Sequence, residues 1–152
     1  MARKKPKVSK NISIITKEPR IAFDTKQISN QKPTWQLNRI DNKGKWGWKE
    51  IGKNRWENDI LPKLCNFERM TWPEIEQASG GRSSGNNSHF VNKNNLSKMA
   101  RERLEELQID DVDQVYSLRL TGKTRIIGKR IGSIMQIIWF DFNHEVIDMR
   151  NR

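Results

Sequence analysis

The stretch Val115-Tyr-Ser-Leu-Arg-Leu-Thr-Gly-Lys-Thr-Arg-Ile-Ile-Gly-Lys-Arg-Ile-Gly-Ser-Ile-Met-Gln-Ile-Ile-Trp-Phe-Asp-Phe-Asn-His-Glu-Val-Ile147 decides the fold. Its first run sets Val115, Ser117 and Arg119 against Tyr116, Leu118 and Leu120, close to the period-two pattern of a half-buried strand. Gly122 interrupts it, and Thr124 to Gly128 resumes with β-branched residues. A Lys-Arg-Ile-Gly-Ser turn follows, and Ile134 to Phe140 is apolar enough for a strand buried on both faces. Three strands joined by short glycine-containing turns predict an antiparallel meander. Its polar groups are mostly basic, and His144 lies just past its last strand.

Moving towards the amino terminus, Asp110-Asp-Val-Asp113 separates the meander from a helix over Leu96 to about Leu107. Asn94 or Asn95 would cap that helix, and Leu96, Met99, Ala100, Leu104 and Leu107 would form its apolar stripe. Thr71-Trp-Pro-Glu74 is a second helix start, with the Thr/Glu spacing of a capping box and proline in the first turn. A polar loop containing Gly80, Gly81 and Gly85 leads from it to His89. Ile51, Trp56, Ile60, Leu64 and Phe67 suit an amphipathic helix from about Lys49 to Met70, which Pro62 would kink or divide. Trp35, Leu37 and Ile40 suggest a short strand, and Trp46-Gly-Trp48 a second strand or an irregular aromatic cluster.

Residues 1–32 differ in kind. They hold nine Lys/Arg against Glu18 and Asp24, a net +7 out of the chain's +11, and show no sustained apolar period. A flexible basic arm over 1–32, with Lys4, Lys5 and Lys7 available to a polyanion or serving only as a solubilising tail, precedes a single domain over 33–152. The excess positive charge favours a polyanionic partner, nucleic acid first, with a membrane surface as the rival. No apolar run is long enough to span a bilayer, and the basic start has no apolar segment behind it of the kind a secretory signal carries. A lone Cys65 makes no internal disulfide and suggests an inward-facing thiol in a reducing, cytoplasmic setting. One Cys and two His do not supply a clustered metal site, and no phosphate-binding glycine loop or dinucleotide fingerprint occurs, so no metal or cofactor is expected.

The candidate chemistry gathers in the meander. Lys123, Arg125 and Thr121, two apart, would share one face of a strand and clamp a phosphate or stabilise charge on a phosphorane, with Arg119 helping. His144 would move a proton near neutral pH, oriented by Glu145; the plainer alternative is a histidine that caps a turn. Lys129, Arg130 and His89 would extend the contact to nucleic acid, unless these cations only solvate a sheet face. Trp56, Trp72 and Trp139 follow local periodicity and belong in the core, while Trp46 and Trp48 are open between core and base-stacking roles.

Two resemblances follow from these residues. Phe67-Glu-Arg-Met-Thr-Trp-Pro-Glu-Ile75, Tyr116-Ser-Leu-Arg-Leu-Thr-Gly-Lys123 and Trp139-Phe-Asp-Phe-Asn-His-Glu-Val146 resemble a family of small bacterial and phage proteins over about three quarters of the chain. The meander, with arginines in Leu-Arg-Leu and Thr-Arg-Ile-Ile-Gly, an apolar strand and then His144, is similar to the carboxy-terminal half of RelE/ParE-type toxins. That second resemblance implies an α+β fold with helices packed on one face of a small antiparallel sheet. It also implies a metal-independent endoribonuclease cleaving by 2′-hydroxyl attack, with Arg125 and Arg119 on the scissile phosphate and His144 as acid or base. RNA or the ribosome would be the partner, and a small acidic antitoxin protein a second one. The alternatives are a non-catalytic nucleic-acid- or ribosome-binding module and a regulatory protein whose basic surface meets an acidic protein.

Overall fold

The apolar run from Ile134 forms a strand covered on both sides, with Met135 and Ile137 to Asp141 all buried. The computed structural model describes residues 30–78 and 87–151. In chain order these form β1 (Thr34–Gln36), a 3-10 turn (Trp48–Glu50), α1 (Gly52–Arg55), a π-helical turn (Trp56–Ile60), α2 (Leu61–Phe67) and α3 (Trp72–Gln77). Then come β2 (His89–Asn92), a 3-10 turn (Lys93–Asn95), α4 (Lys98–Glu106), β3 (Gln114–Arg119), β4 (Arg125–Ile131), β5 (Ile134–Asp141) and a last 3-10 turn (Met149–Asn151). Almost all of the basic arm, residues 1–29, and the loop 79–86 lie outside the described residues. No helix among the described residues is long and apolar enough to cross a membrane.

The strands make one sheet in the order β1-β5-β4-β3-β2. The expected meander is its centre and is antiparallel, with Arg125 opposite Arg119 on one side and Asp141 on the other. β2 adds antiparallel to β3, whereas β1 lies parallel to β5. The protein is therefore α+β with a five-stranded mixed sheet, which corrects the expectation of a small antiparallel one. The outer strands are three and four residues long, too short to carry a period of their own. They exist because the meander offers them a template.

Helices cover both faces of the sheet, not one. Alternation along β3 sends Tyr116 and Leu118 towards Ile60, Leu64, Trp72 and Ile75, and sends Val115 towards Ala100 and Leu104 of α4. Strands that are apolar on both sides need two covering layers. The register slips between Ile127 and Gly128, so that Ile127 faces Trp139, Gly128 faces Ile137, and Ile138 is the extra residue. This bulge places Ile138 and Trp139 in the same core layer. A Cβ on Gly128 would meet the Gln136 carbonyl oxygen at 2.2 Å, so the close approach there requires glycine.

Past the reach of β1, the edge of β5 is covered by a loop instead of a strand. The Asp41 N–H donates to the Ile138 carbonyl at 3.0 Å, and the Phe140 N–H donates to the Trp46 carbonyl at 2.9 Å. The Asp41 carboxylate is buried and accepts the Lys43 and Gly44 N–H groups at 3.0 Å each. It also accepts Arg103 Nε at 2.8 Å, Arg103 Nη2 at 2.7 Å and Trp139 Nε1 at 3.1 Å. Burial alone would raise the pKa of this acid. The donors, Arg103 first, outweigh burial and hold it far below the usual carboxylate range. A Cβ on Gly44 would come within 2.1 Å of Asp41 Oδ2, so the loop closes this tightly only on glycine.

The helices depart from the expected boundaries for local reasons. The segment from Trp48 to Phe67 is helical but broken, and its π-helical turn ends just before Pro62. Pro62 has no N–H for the Asn58 carbonyl and its ring crowds that oxygen, so the turn ahead of it widens, with the Leu61 N–H reaching back to Trp56. α4 is capped by Ser97, whose Oγ accepts the Ala100 N–H at 3.3 Å; Asn94 and Asn95 form the preceding 3-10 turn instead. Met99 is exposed, leaving Ala100 and Leu104 as the buried positions. The capping box at Thr71 forms as expected. Cys65 is exposed, which corrects the inward-facing thiol. Trp46 to Trp48 is the irregular aromatic alternative and not a strand.

Replacing Asp41 with alanine is expected to lower stability by about 3–5 kcal/mol, because it leaves Arg103 and Trp139 without their acceptor; urea denaturation measures this. The folded-state pKa of Asp41 is depressed, so its contribution is complete above the ordinary carboxylate range and is lost as the pH falls below that range. Asp41→Asn should accordingly flatten the acid limb of the stability profile between roughly pH 4 and pH 2.

Candidate nucleic-acid interface

The β3–β4 connection is a tight turn. The Leu120 and Thr121 N–H groups donate to the Thr124 carbonyl at 3.0 and 3.3 Å, and the Thr124 N–H donates to Thr121 Oγ1 at 3.1 Å. Gly122 and Lys123 are exposed at its tip. Two arginines brace it from the facing strand positions. Arg125 Nη1 donates to the Thr121 carbonyl at 2.6 Å and the Thr124 carbonyl at 3.1 Å, and Arg119 Nε donates to the Thr121 carbonyl at 3.1 Å.

This geometry corrects the expected phosphate-facing row of Thr121, Lys123 and Arg125. Lys123 and Thr121 belong to a turn, where the period of two does not apply, and Arg125 is only 2% exposed. Its guanidinium spends hydrogen bonds on main-chain carbonyls. The two arginines do come together as expected, but around the turn.

At the same end of the sheet, Asp141 lies opposite Arg125. Its carboxylate accepts the N–H groups of Glu145 at 2.9 Å and Val146 at 2.8 Å, which folds the chain back after β5. His144 sits in that turn with φ of +59°, the left-handed region that non-glycine residues seldom occupy. Its side chain is half-buried. Glu145 pairs instead with Lys45 Nζ at 2.7 Å, and this hydrogen bond lowers its pKa. It therefore ties the turn to the Asp41 loop.

The remaining cations separate by role. Arg130 stacks on the Trp72 ring at 4.0 Å and lies 5.0 Å from that of Tyr116, while its Nη1 donates to Glu76 at 2.7 Å. The Tyr116 hydroxyl donates to the same Glu76 oxygen at 3.1 Å, and burial, then Glu76, pushes this phenol well above its ordinary pKa. Arg130 is thus part of the packing under α3, which its place in a basic run did not reveal. Lys129 faces Asp111 at 3.6 Å. His89 is exposed at the start of β2, not in a loop, and its Nδ1 donates to the Asn87 carbonyl. Lys4, Lys5 and Lys7 lie outside the described residues.

A cation the sequence did not single out completes the surface. Lys63 and Asn66 of α2 lie across a groove of about 390 Å³ from Arg119, Thr121 and Gly122, with Phe67 and Met70 among its apolar lining and no acidic residue among the described ones. Lys63 is one more lysine on the polar side of a helix, and only the packing of α2 against the β3–β4 turn makes it a neighbour of Arg119. No protein-family model, curated protein or solved structure matches the chain. The likeness to RelE/ParE-type toxins rests on the residues quoted for it.

The bracing role of Arg125 has a direct consequence. Arg125→Met should cost about 1–3 kcal/mol in urea denaturation, since two turn carbonyls lose a donor. Lys123→Ala, at the exposed tip, should change stability by less than about 0.5 kcal/mol.

Proposed function

We propose that the protein binds single-stranded nucleic acid, without cutting it, through the end of the sheet where α2 meets the β3–β4 turn. The observation that carries this reading is the convergence of Lys63 and Arg119 with Asn66 and Thr121 in one groove, with Lys123 exposed beside it. The groove has no acidic lining among the described residues, and the chain has a net charge of +11. Such a groove receives a phosphodiester backbone by charge, and the amides and hydroxyl of its walls add hydrogen bonds. Binding to an acidic protein would use the same charge and is separated by competition.

A second reading has one observation in its favour. His144 is held in a left-handed turn by Asp141, and strained backbone of this kind clusters at active sites. In that reading a ribose 2′-oxygen attacks phosphorus as its proton passes to a base, the P–O5′ bond breaks as an acid protonates the 5′-oxygen, and a 2′,3′-cyclic phosphate remains; His144 is the acid or the base.

Fluorescence anisotropy with labelled oligouridylate and oligodeoxythymidylate tests the proposal and distinguishes RNA from DNA. Affinity should fall with salt, with a slope in log–log form of about −0.7 per phosphate neutralised. Lys63→Ala and Lys123→Ala should each reduce that slope by about 0.7. A salt-independent interaction, or one that polyglutamate displaces as well as RNA does, overturns the proposal. Incubation of the protein with RNA in EDTA decides the second reading: cleavage abolished by His144→Ala supports it, and intact RNA removes it.

A further inference from the structure

Trp48 and Trp56 form a second feature, on and just before the helical segment that carries Lys63. Their ring centroids are 5.0 Å apart at 61°, and both pack edge-on against Phe140 of β5, at 6.2 and 6.5 Å. Phe140 is buried, so the two indoles are held from behind by the sheet itself. Among the described residues their outer side is only partly covered. Trp48 is 39% exposed, and the cleft beside the pair, about 450 Å³, is lined by Trp48, Trp56, Ile51, Gly52, Lys49 and Lys53. Gly52 contributes no side chain and has φ of +69°, and a Cβ built there would meet no atom within 4 Å, so this part of the wall is open.

An indole fixed against a rigid strand presents an apolar face whose shape is set in advance of any partner. The chemistry of the lining narrows what covers it. Among the described residues, the charged lining of the cleft consists of lysines. Lys53 has a loose, exposed pair with Glu57 at 3.7 Å, which water and salt screen strongly and which a phosphate can replace. A flat apolar wall with cations at its rim matches a base attached to its phosphate, whereas a purely apolar peptide would make no use of either lysine's charge. The cleft also belongs to the same helical segment as the groove, Gly52 to Phe67. Trp56 and Lys63 are seven residues apart, or roughly 10 Å along a helix axis, a distance that a strand of a few nucleotides covers.

We infer that the Trp48–Trp56 cleft is a stacking site for an unpaired nucleobase, with Lys49 and Lys53 on the adjoining phosphate. This rests on the nucleic-acid reading above and assigns its base-contacting part. Trp48 is the residue that touches the base; Trp56 and Phe140 hold it in place.

The test compares wild type, Trp48→Ala, Trp48→Leu and Trp48→Phe for binding to labelled oligouridylate and to an abasic strand of the same length. Losing one base–aromatic stack weakens binding roughly 5- to 100-fold. Trp48→Ala and Trp48→Leu should show that loss on oligouridylate, Trp48→Phe should retain most of the affinity, and all four should bind the abasic strand alike. The salt slope should be the same in Trp48→Ala as in wild type, since a stack neutralises no phosphate. Equal affinity of wild type and Trp48→Ala for oligouridylate overturns the stacking site and leaves the phosphate groove standing. Equal loss on both strands overturns it in favour of a structural role for Trp48. Wild-type affinity in Trp48→Leu means simple apolar contact and also overturns it. Concentration-dependent dimerisation that Trp48→Ala abolishes assigns the cleft to a second copy of the chain. Absence of any binding by wild type removes the parent reading itself.

Discussion

A buried carboxylate needs a full set of donors, and in this protein the donors of Asp41 come from three separate parts of the chain. Two are N–H groups of its own loop, one is the indole of Trp139 on β5, and two belong to the guanidinium of Arg103 on α4. An ion taken out of water is costly unless its partners are placed well, and a partly assembled set leaves a buried charge unpaired. The arrangement therefore tends to form as a whole. When it forms, the loop is fixed along the free edge of β5, α4 is fixed against that loop, and the bulged residue Ile138 has a partner for its carbonyl. Beyond the three residues of β1, that edge of β5 is covered by the loop, which removes a template for unwanted pairing there.

The same economy divides the cations. Arg103, Arg125 and Arg130 are turned inward, where a planar guanidinium can serve a carboxylate, two carbonyls or an aromatic face at once. Lys63, Lys123, Lys49 and Lys53 are on or beside open surface. A charge of +11 thus overstates what a polyanion would meet from the folded part. The inward arginines hold three separate parts of the fold together, and the lysines, with Arg119 at the groove wall, stay at open surface.

The meander was legible because three long strands in succession carry their own pattern. The capping box at Thr71 was legible because its signal is local, four residues read in one direction. The outer strands were not, since three or four residues hold no period and their pairing is with distant sequence. The site was legible in composition and misplaced in geometry. Arg119 and Arg125 do converge, but the two-residue spacing that seemed to align Lys123 with Arg125 stops at a turn, and Glu145 was already committed to Lys45. Lys63 carried no sequence signal at all. Trp48 was open from the sequence, and its exposure follows only from the way Phe140 props it.

By itself the sequence determined an α+β chain with a basic excess, a central meander and the capped helix start at Thr71. These follow from period, turn residues and caps, which act over a few positions. Only the tertiary structure decided that the sheet is mixed, that helices cover both faces, and that Asp41 binds across 62 and 98 residues. The physical reason is the same in each case. Close contact between distant segments depends on how side chains fill and satisfy a shared space, and a local pattern contains no record of which distant group will be there.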